Sequence, residues 1–230
     1  MTPEDELNQF AIRSFRDQAD TDYICARMAC RAALVGPFLW SSQQAIEKYL
    51  KCILLLNRIP AKKVRHDLAK AVQLINSSLK LTLDLTPSTT DFIDYVDTYG
   101  QFRYLEISNV AFGRDIVRLD RTAWELRRYC TLSGAERRIK LTQGVAPPTI
   151  RLPGGHLESI IDDIENPARN ALLLHNGFFG KRRRKLVKTR PWMRATNAPL
   201  YLHPRILDEV VKFVHLPGRV IAAYRNHKGP

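Results

Sequence analysis

The sequence predicts an all-α fold: an up-and-down helical bundle over residues 1–130, followed by a basic, mostly helical C-terminal extension. Three observations predict it. Apolar residues recur near the 3.6-residue period in several long stretches, the pattern of helices that bury one face. Helix-start signals precede those stretches, in Thr2-Pro3-Glu4-Asp5, His66-Asp67-Leu68, Thr86-Pro87 and Asn166-Pro167. Charge then divides the chain. The net charge is +13, yet residues 1–130 hold 18 Lys/Arg against 16 Asp/Glu, whereas residues 131–230 hold 18 against 7. A one-sided basic excess attracts polyanions by releasing their condensed counterions.

The elements follow in order. Thr2-Pro3-Glu4-Asp5 opens a first helix. A second stretch, about Asp20 to Leu34, carries Tyr23, Cys25, Met28, Ala29, Ala32 and Ala33 in a broad apolar stripe and stops at Gly36-Pro37. The next helix, about Phe38 to Leu56, turns Leu39, Ala45, Tyr49, Cys52, Ile53 and Leu56 inward. Gln44, Glu47, Lys48 and Lys51 are expected on its outer face. Asp67 caps a helix that reaches about Ile75. Leu79 to Leu85 alternates like a strand but has no apparent partner, so an extended connection is expected there. Thr86-Pro87 opens a helix to about Tyr99. The last bundle helix spans about Asp115 to Tyr129, with Ile116, Leu119, Ala123, Leu126 and Tyr129 inward. Residues 131–155 are rich in Gly, Pro and Ser and read as a linker or arm. Helices follow over His156 to Ile164, Pro167 to about Asn176 and Pro204 to about His215, with another starting near Pro217.

Composition narrows the class. The apolar fraction of 45 % suits a globular chain. No stretch reaches the roughly 18 apolar residues of a membrane span, and the acidic N-terminus is unlike a leader, so a cytoplasmic protein is expected. Cys25, Cys30, Cys52 and Cys130 form no C-x-x-C pair and read as small buried hydrophobes. No metal site and no cofactor are expected. The chain holds no phosphate-binding Gly loop before a helix, no Gly-x-Ser-x-Gly and no His-Glu-x-x-His.

Three segments together resemble the HEPN family of small helical domains, over about 110 residues. Ala19-Asp20-Thr21-Asp22-Tyr23-Ile24, with Ala26-Arg27, is similar to the family's first helix. Trp40 to Lys51, containing Gln44-Ala45-x-Glu47-Lys48-x-Leu50-Lys51, is similar to its second. His66-Asp67-Leu68 is similar to the start of its third. The resemblance implies a four- or five-helix bundle that pairs into a dimer. It implies either a metal-independent ribonuclease with an Arg-x4–6-His motif, or a nucleotide- or partner-binding module that lacks the motif.

Arg-x4–6-His occurs at Arg151…His156 and at Arg169…His175, about the number that 24 Arg and 6 His give by chance. The second carries Asn170 after the arginine, as the family's nucleases prefer, so Arg169, Asn170 and His175 are the catalytic candidates. The helix expected over Asp115–Tyr129 has Arg118, Arg121, Arg127 and Arg128 but no His, a departure from the family's nuclease pattern. On an ideal helix, Arg169 and His175 lie about 120° apart around the axis.

The densest charge lies in Lys181 to Arg194. Lys181, Arg182, Arg183, Arg184, Lys185, Lys188, Arg190 and Arg194 stand there without an acid, and Trp192 interrupts them. Cations grip phosphates and aromatic rings stack on unpaired bases. A second phosphate-binding candidate is Arg65-His66 at a helix start, with Lys48 and Lys51.

These readings lead to a HEPN-like homodimer that binds RNA or nucleotides without catalysis of its own. Two alternatives stand beside it. One is a metal-independent ribonuclease, a toxin or defence effector, using Arg169 and His175. The other is an interaction subunit for a nucleotidyltransferase or antitoxin.

Overall fold

The computed structural model describes residues 3–62, 64–78, 80–100, 107–131, 155–180, 189–196 and 198–226. Most of the chain is helical, with one small sheet of two strands. Helix α1 (Pro3–Ala11) runs through a π-helical turn, Ile12–Arg16, into α2 (Asp17–Arg31), so the first two predicted helices are nearly continuous. Ala33, at φ 56°, then reverses the chain. The Leu34 amide reaches back to the Ala29 carbonyl, 2.9 Å away, and closes the end of α2. Gly36-Pro37 falls inside the first turn of α3 (Val35–Leu56), where a missing amide costs nothing.

Helix α3 is the centre of the bundle. It packs along α2 and also touches α1, α4 (Leu68–Asn76), α5 (Pro87–Tyr99) and α6 (Asp115–Arg127). Phe38, Leu39, Ile46, Tyr49, Leu50, Ile53 and Leu54 on it are buried, more of its circumference than one stripe. The predicted inward residues of α6, Ile116, Leu119, Ala123 and Leu126, are buried as well. Asp67 caps α4 by accepting from the Lys70 amide at 2.7 Å, and Pro87 is the first residue of α5. Residues 80–86 have no regular structure, as the sequence reading expects.

Beyond the bundle, α7 (His156–Asp162) and α8 (Pro167–Leu173) pack on α2. Asn166 caps α8 through the Ala168 amide. Leu157, Ile160 and Leu172 enter the same hydrophobic core as the bundle helices. Strand β1 (Asn109–Phe112) pairs antiparallel with β2 (Met193–Thr196), in a register from Asn109 opposite Thr196 to Phe112 opposite Met193. These two short strands are an addition to a structure that otherwise agrees with the all-α expectation. Helix α9 (Pro199–Leu202), a 3-10 turn (Pro204–Ile206), α10 (Leu207–Val210) and α11 (Gly218–Asn226) complete the chain. Ala198, Leu200, Leu207, Leu216, Val220 and Tyr224 there form a small core of their own.

Two buried polar networks cross the bundle. In the first, Arg27 on α2 pairs with Asp120 on α6, and both are fully buried. The Tyr23 hydroxyl donates to the same Asp120 oxygen at 2.6 Å. Arg27 also donates from Nε to the Ala171 carbonyl and from Nη2 to the Leu174 carbonyl, at 2.9 and 2.8 Å. In the second, Arg127 holds Asp20 through two hydrogen bonds and Glu158 through two more, while the Tyr49 hydroxyl donates to Asp20 at 2.6 Å. Burial opposes the charge of Glu158, but the hydrogen bonds from Arg127 outweigh it and hold that carboxyl below its ordinary value. Each network therefore ties the α7–α8 segment to the bundle.

Several expectations fail inside this frame. Met28 and Ala32 of the predicted apolar stripe are exposed. Glu47 is buried, where an exposed face was expected. Cys25 is exposed, while Cys30, Cys52 and Cys130 are buried.

Candidate functional site: a basic cleft around His175

Helix α8 ends at Leu173, and His175 follows in the left-handed region at φ 58°. That conformation is uncommon for a residue with a Cβ and persists where its surroundings over-determine it. Here they do. The Leu174 carbonyl accepts from Arg27 and from Arg31, and the Asn176 side chain donates to the Tyr23 hydroxyl and to the Leu172 carbonyl. Asn176 also accepts from the Phe178 and Phe179 amides. Both neighbours of His175 are thus fixed by the Arg27–Asp120–Tyr23 network.

His175 lines a cleft of about 280 Å³. Arg31 from the end of α2, Thr189, Arg190 and Trp192 ahead of β2, and Cys30 share it. Gly113 forms part of the wall for a steric reason. A Cβ there would sit 1.9 Å from the Arg190 carbonyl oxygen and 2.9 Å from the Trp192 ring, so only glycine lets the chain after β1 approach so closely.

Among the described residues, no carboxylate lines the cleft. The nearby Asp115 accepts from the Phe112 amide and from Arg118, and Asp120 is held by Arg27 and Tyr23. Burial, together with the neighbouring charges of Arg27 and Arg190, holds the Arg31 guanidinium below its ordinary value. Burial also pushes the Cys30 thiol up to about 12, which makes it a packing group and not a nucleophile.

The predicted site residues separate on this structure. His175, Arg190 and Trp192, 15 and 17 residues apart in sequence, meet in the cleft. Arg194 lies beside it on β2 and donates to the Ala33 carbonyl. Arg169 turns elsewhere, giving its Nε–H to the Ile161 carbonyl at 3.0 Å, and Asn170 is an exposed residue of α8. Lys181, Arg182, Arg183, Arg184, Lys185 and Lys188 lie outside the described residues, as does Arg151.

Arg65 and His66 stand at the entry to α4, with Arg65 at φ 50°. The His66 Nδ1 lies 3.0 Å from the buried Glu47 carboxylate, which also accepts from Lys51. Lys48 pairs with Asp22. Three of these four candidate groups are therefore already matched to carboxylates, a poorer anion site than the cleft. Arg31 and Cys30 were missed by the sequence reading. The signal for Arg31 was its place in the last turn of α2, just before the chain reverses at Ala33.

Among the described residues no three metal-ligating side chains cluster, and no helix is long and apolar enough to cross a membrane. The fold and cleft define a helical protein with an unbalanced cationic site. No family model, no curated protein and no solved structure matches the chain.

Proposed function

We propose that this chain is a HEPN-like RNA-binding protein that acts as a homodimer and does not cleave RNA by itself. One observation carries the reading: Arg31, His175 and Arg190 converge with Trp192 in a cleft that no carboxylate of the described residues lines. Cations offer contacts to phosphate, and the indole offers a face to an unpaired base. The run of cations at Lys181–Lys188 lies directly before Thr189 in sequence and adds to the same charge.

The test is binding to an unstructured RNA oligomer over a range of salt. Arg31→Ala and Arg190→Ala should each weaken binding, and each should reduce the slope of log affinity against log salt by about 0.7 for a single strand. Replacing Arg182, Arg183, Arg184 and Lys185 by Ala should flatten it further. Affinity and slope unchanged in all these variants would remove the cleft and the basic segment from the binding surface.

Catalysis is a second reading, which the position of His175 favours. Phosphodiester cleavage through the 2′-hydroxyl needs a base, an acid and a cation. Arg31 and Arg190 stand where the sequence reading placed Arg169. Yet His175 is the one group of the cleft, among the described residues, whose side chain ordinarily titrates near neutrality. A second proton-transfer group would have to come from a partner copy. We therefore expect no cleavage of mixed RNA in EDTA. Cleavage that drops by roughly 10²–10⁴ in His175→Ala and also fails in Arg31→Ala would establish the ribonuclease reading instead.

A further inference from the structure

A second cleft, of about 380 Å³, opens between α6, α7 and the residues after α8. Its character differs from that of the first. Trp124 and Phe178 line it with ring centroids 6.0 Å apart and planes at 41°. Arg121, Trp124 and Arg128 lie at i, i+3 and i+7 on one face of α6. The Arg121 guanidinium stands over Phe178 at 5.5 Å, and that of Arg128 over Trp124 at 5.6 Å. The two amide bonds to Asn176 fix the backbone that carries Phe178. On the α7 side, Asp162 lines the same cleft with an exposed carboxylate that pairs with no other described residue. Glu158 beside it is occupied by Arg127.

This combination is chemically selective. Flat aromatic faces stack on any base. A free carboxylate at the rim accepts two parallel N–H bonds and repels acceptors. Of the four RNA bases, only guanine presents two adjacent donors, N1–H and the N2 amino group, on its pairing edge. Adenine and cytosine offer an amino group beside an acceptor, and uracil offers one N–H between two carbonyls. Arg121, which stands over the Phe178 ring, makes no ion pair among the described residues.

We propose that this cleft is a stacking subsite for an unpaired guanine, with Trp124 and Phe178 as the platform and Asp162 as the reader of its pairing edge. The proposal rests on the RNA-binding reading and assigns it a base preference.

The test follows binding of GMP and UMP to the full chain by tryptophan fluorescence and calorimetry. GMP should quench the fluorescence and bind about tenfold more tightly than UMP. Trp40→Phe should keep the quench, since Trp40 lines neither cleft, whereas Trp124→Leu should lose it. Asp162→Asn, an exposed and conservative change, should bring GMP down to the level of UMP while the melting temperature stays put. Equal binding of GMP and UMP, tighter binding of AMP, or a GMP quench that survives Trp124→Leu would overturn the assignment. Salt-dependent RNA binding without GMP preference would sink this inference alone. GMP binding without any RNA binding would sink the RNA reading and leave the base site standing.

Discussion

Arg27→Met is expected to destabilise the protein by about 3–5 kcal/mol, the usual consequence of removing one partner of a buried ion pair. The reason is positional. Asp120 is fully buried, and one of its oxygens already lacks a hydrogen-bond partner among the described residues. Without Arg27 the carboxylate keeps only the Tyr23 hydroxyl, and the Ala171 carbonyl loses its donor. Burial already outweighs Arg27 and Tyr23 and raises the Asp120 carboxyl above its ordinary value, so losing the guanidinium should raise it further. Urea unfolding of the single variants and of Arg27→Met/Asp120→Leu checks this. The double variant should be more stable than Arg27→Met alone, because an apolar pair leaves no charge stranded. Simple additivity of the two losses would show that the pair acts independently and that this account is wrong. The same variant should weaken RNA binding, since Arg27 also holds the Leu174 carbonyl next to His175.

A chain ending at Thr131 should fail to fold cooperatively. By charge and composition the sequence changes character there, yet the core does not stop. Leu157, Ile160 and Leu172 are buried with the bundle residues. Three such side chains contribute about 5–9 kcal/mol, comparable to the whole stability of a typical domain. The truncated chain would also leave Arg27 without its two carbonyl acceptors and Arg127 without Glu158. Thermal melting followed by circular dichroism decides the matter. A sharp transition of the 1–131 fragment at the temperature of the full chain would mean that α7 and α8 are accessory.

What the sequence makes legible is local. Asp67, Pro87 and Asn166 stand at helix starts because a cap needs only its own next few residues. The apolar faces of α3 and α6 follow from periodicity alone. The polar networks do not, because their partners lie far apart: Arg27 reaches residues 93 to 147 positions away. A trace existed even so. Asp20, Tyr23 and Arg27 lie at i, i+3 and i+7, on the face of α2 that buries Ala19 and Ala26. Charges on an apolar face announce partners without naming them. The strands escaped for another reason. Each has four residues, too few for alternation to register, and their pairing spans 87 positions. The cleft depends on that pairing, so Arg190 and Trp192 were visible as cation and aromatic but not as neighbours of His175.

The placement of the thiols gives the chain its own reporter of opening. Cys25 is exposed on α2, whereas Cys30 on α2, Cys52 on α3 and Cys130 after α6 sit in the core. In the folded state a maleimide therefore meets one sulfur. The other three become reactive only as their surroundings come apart, and they sample different places. Cys30 lies against the basic cleft, while Cys130, just past the end of α6, rests on the Tyr49 carbonyl of α3. The order in which mass shifts accumulate during slow alkylation would then map which part of the molecule breathes first, with no probe introduced and no residue changed.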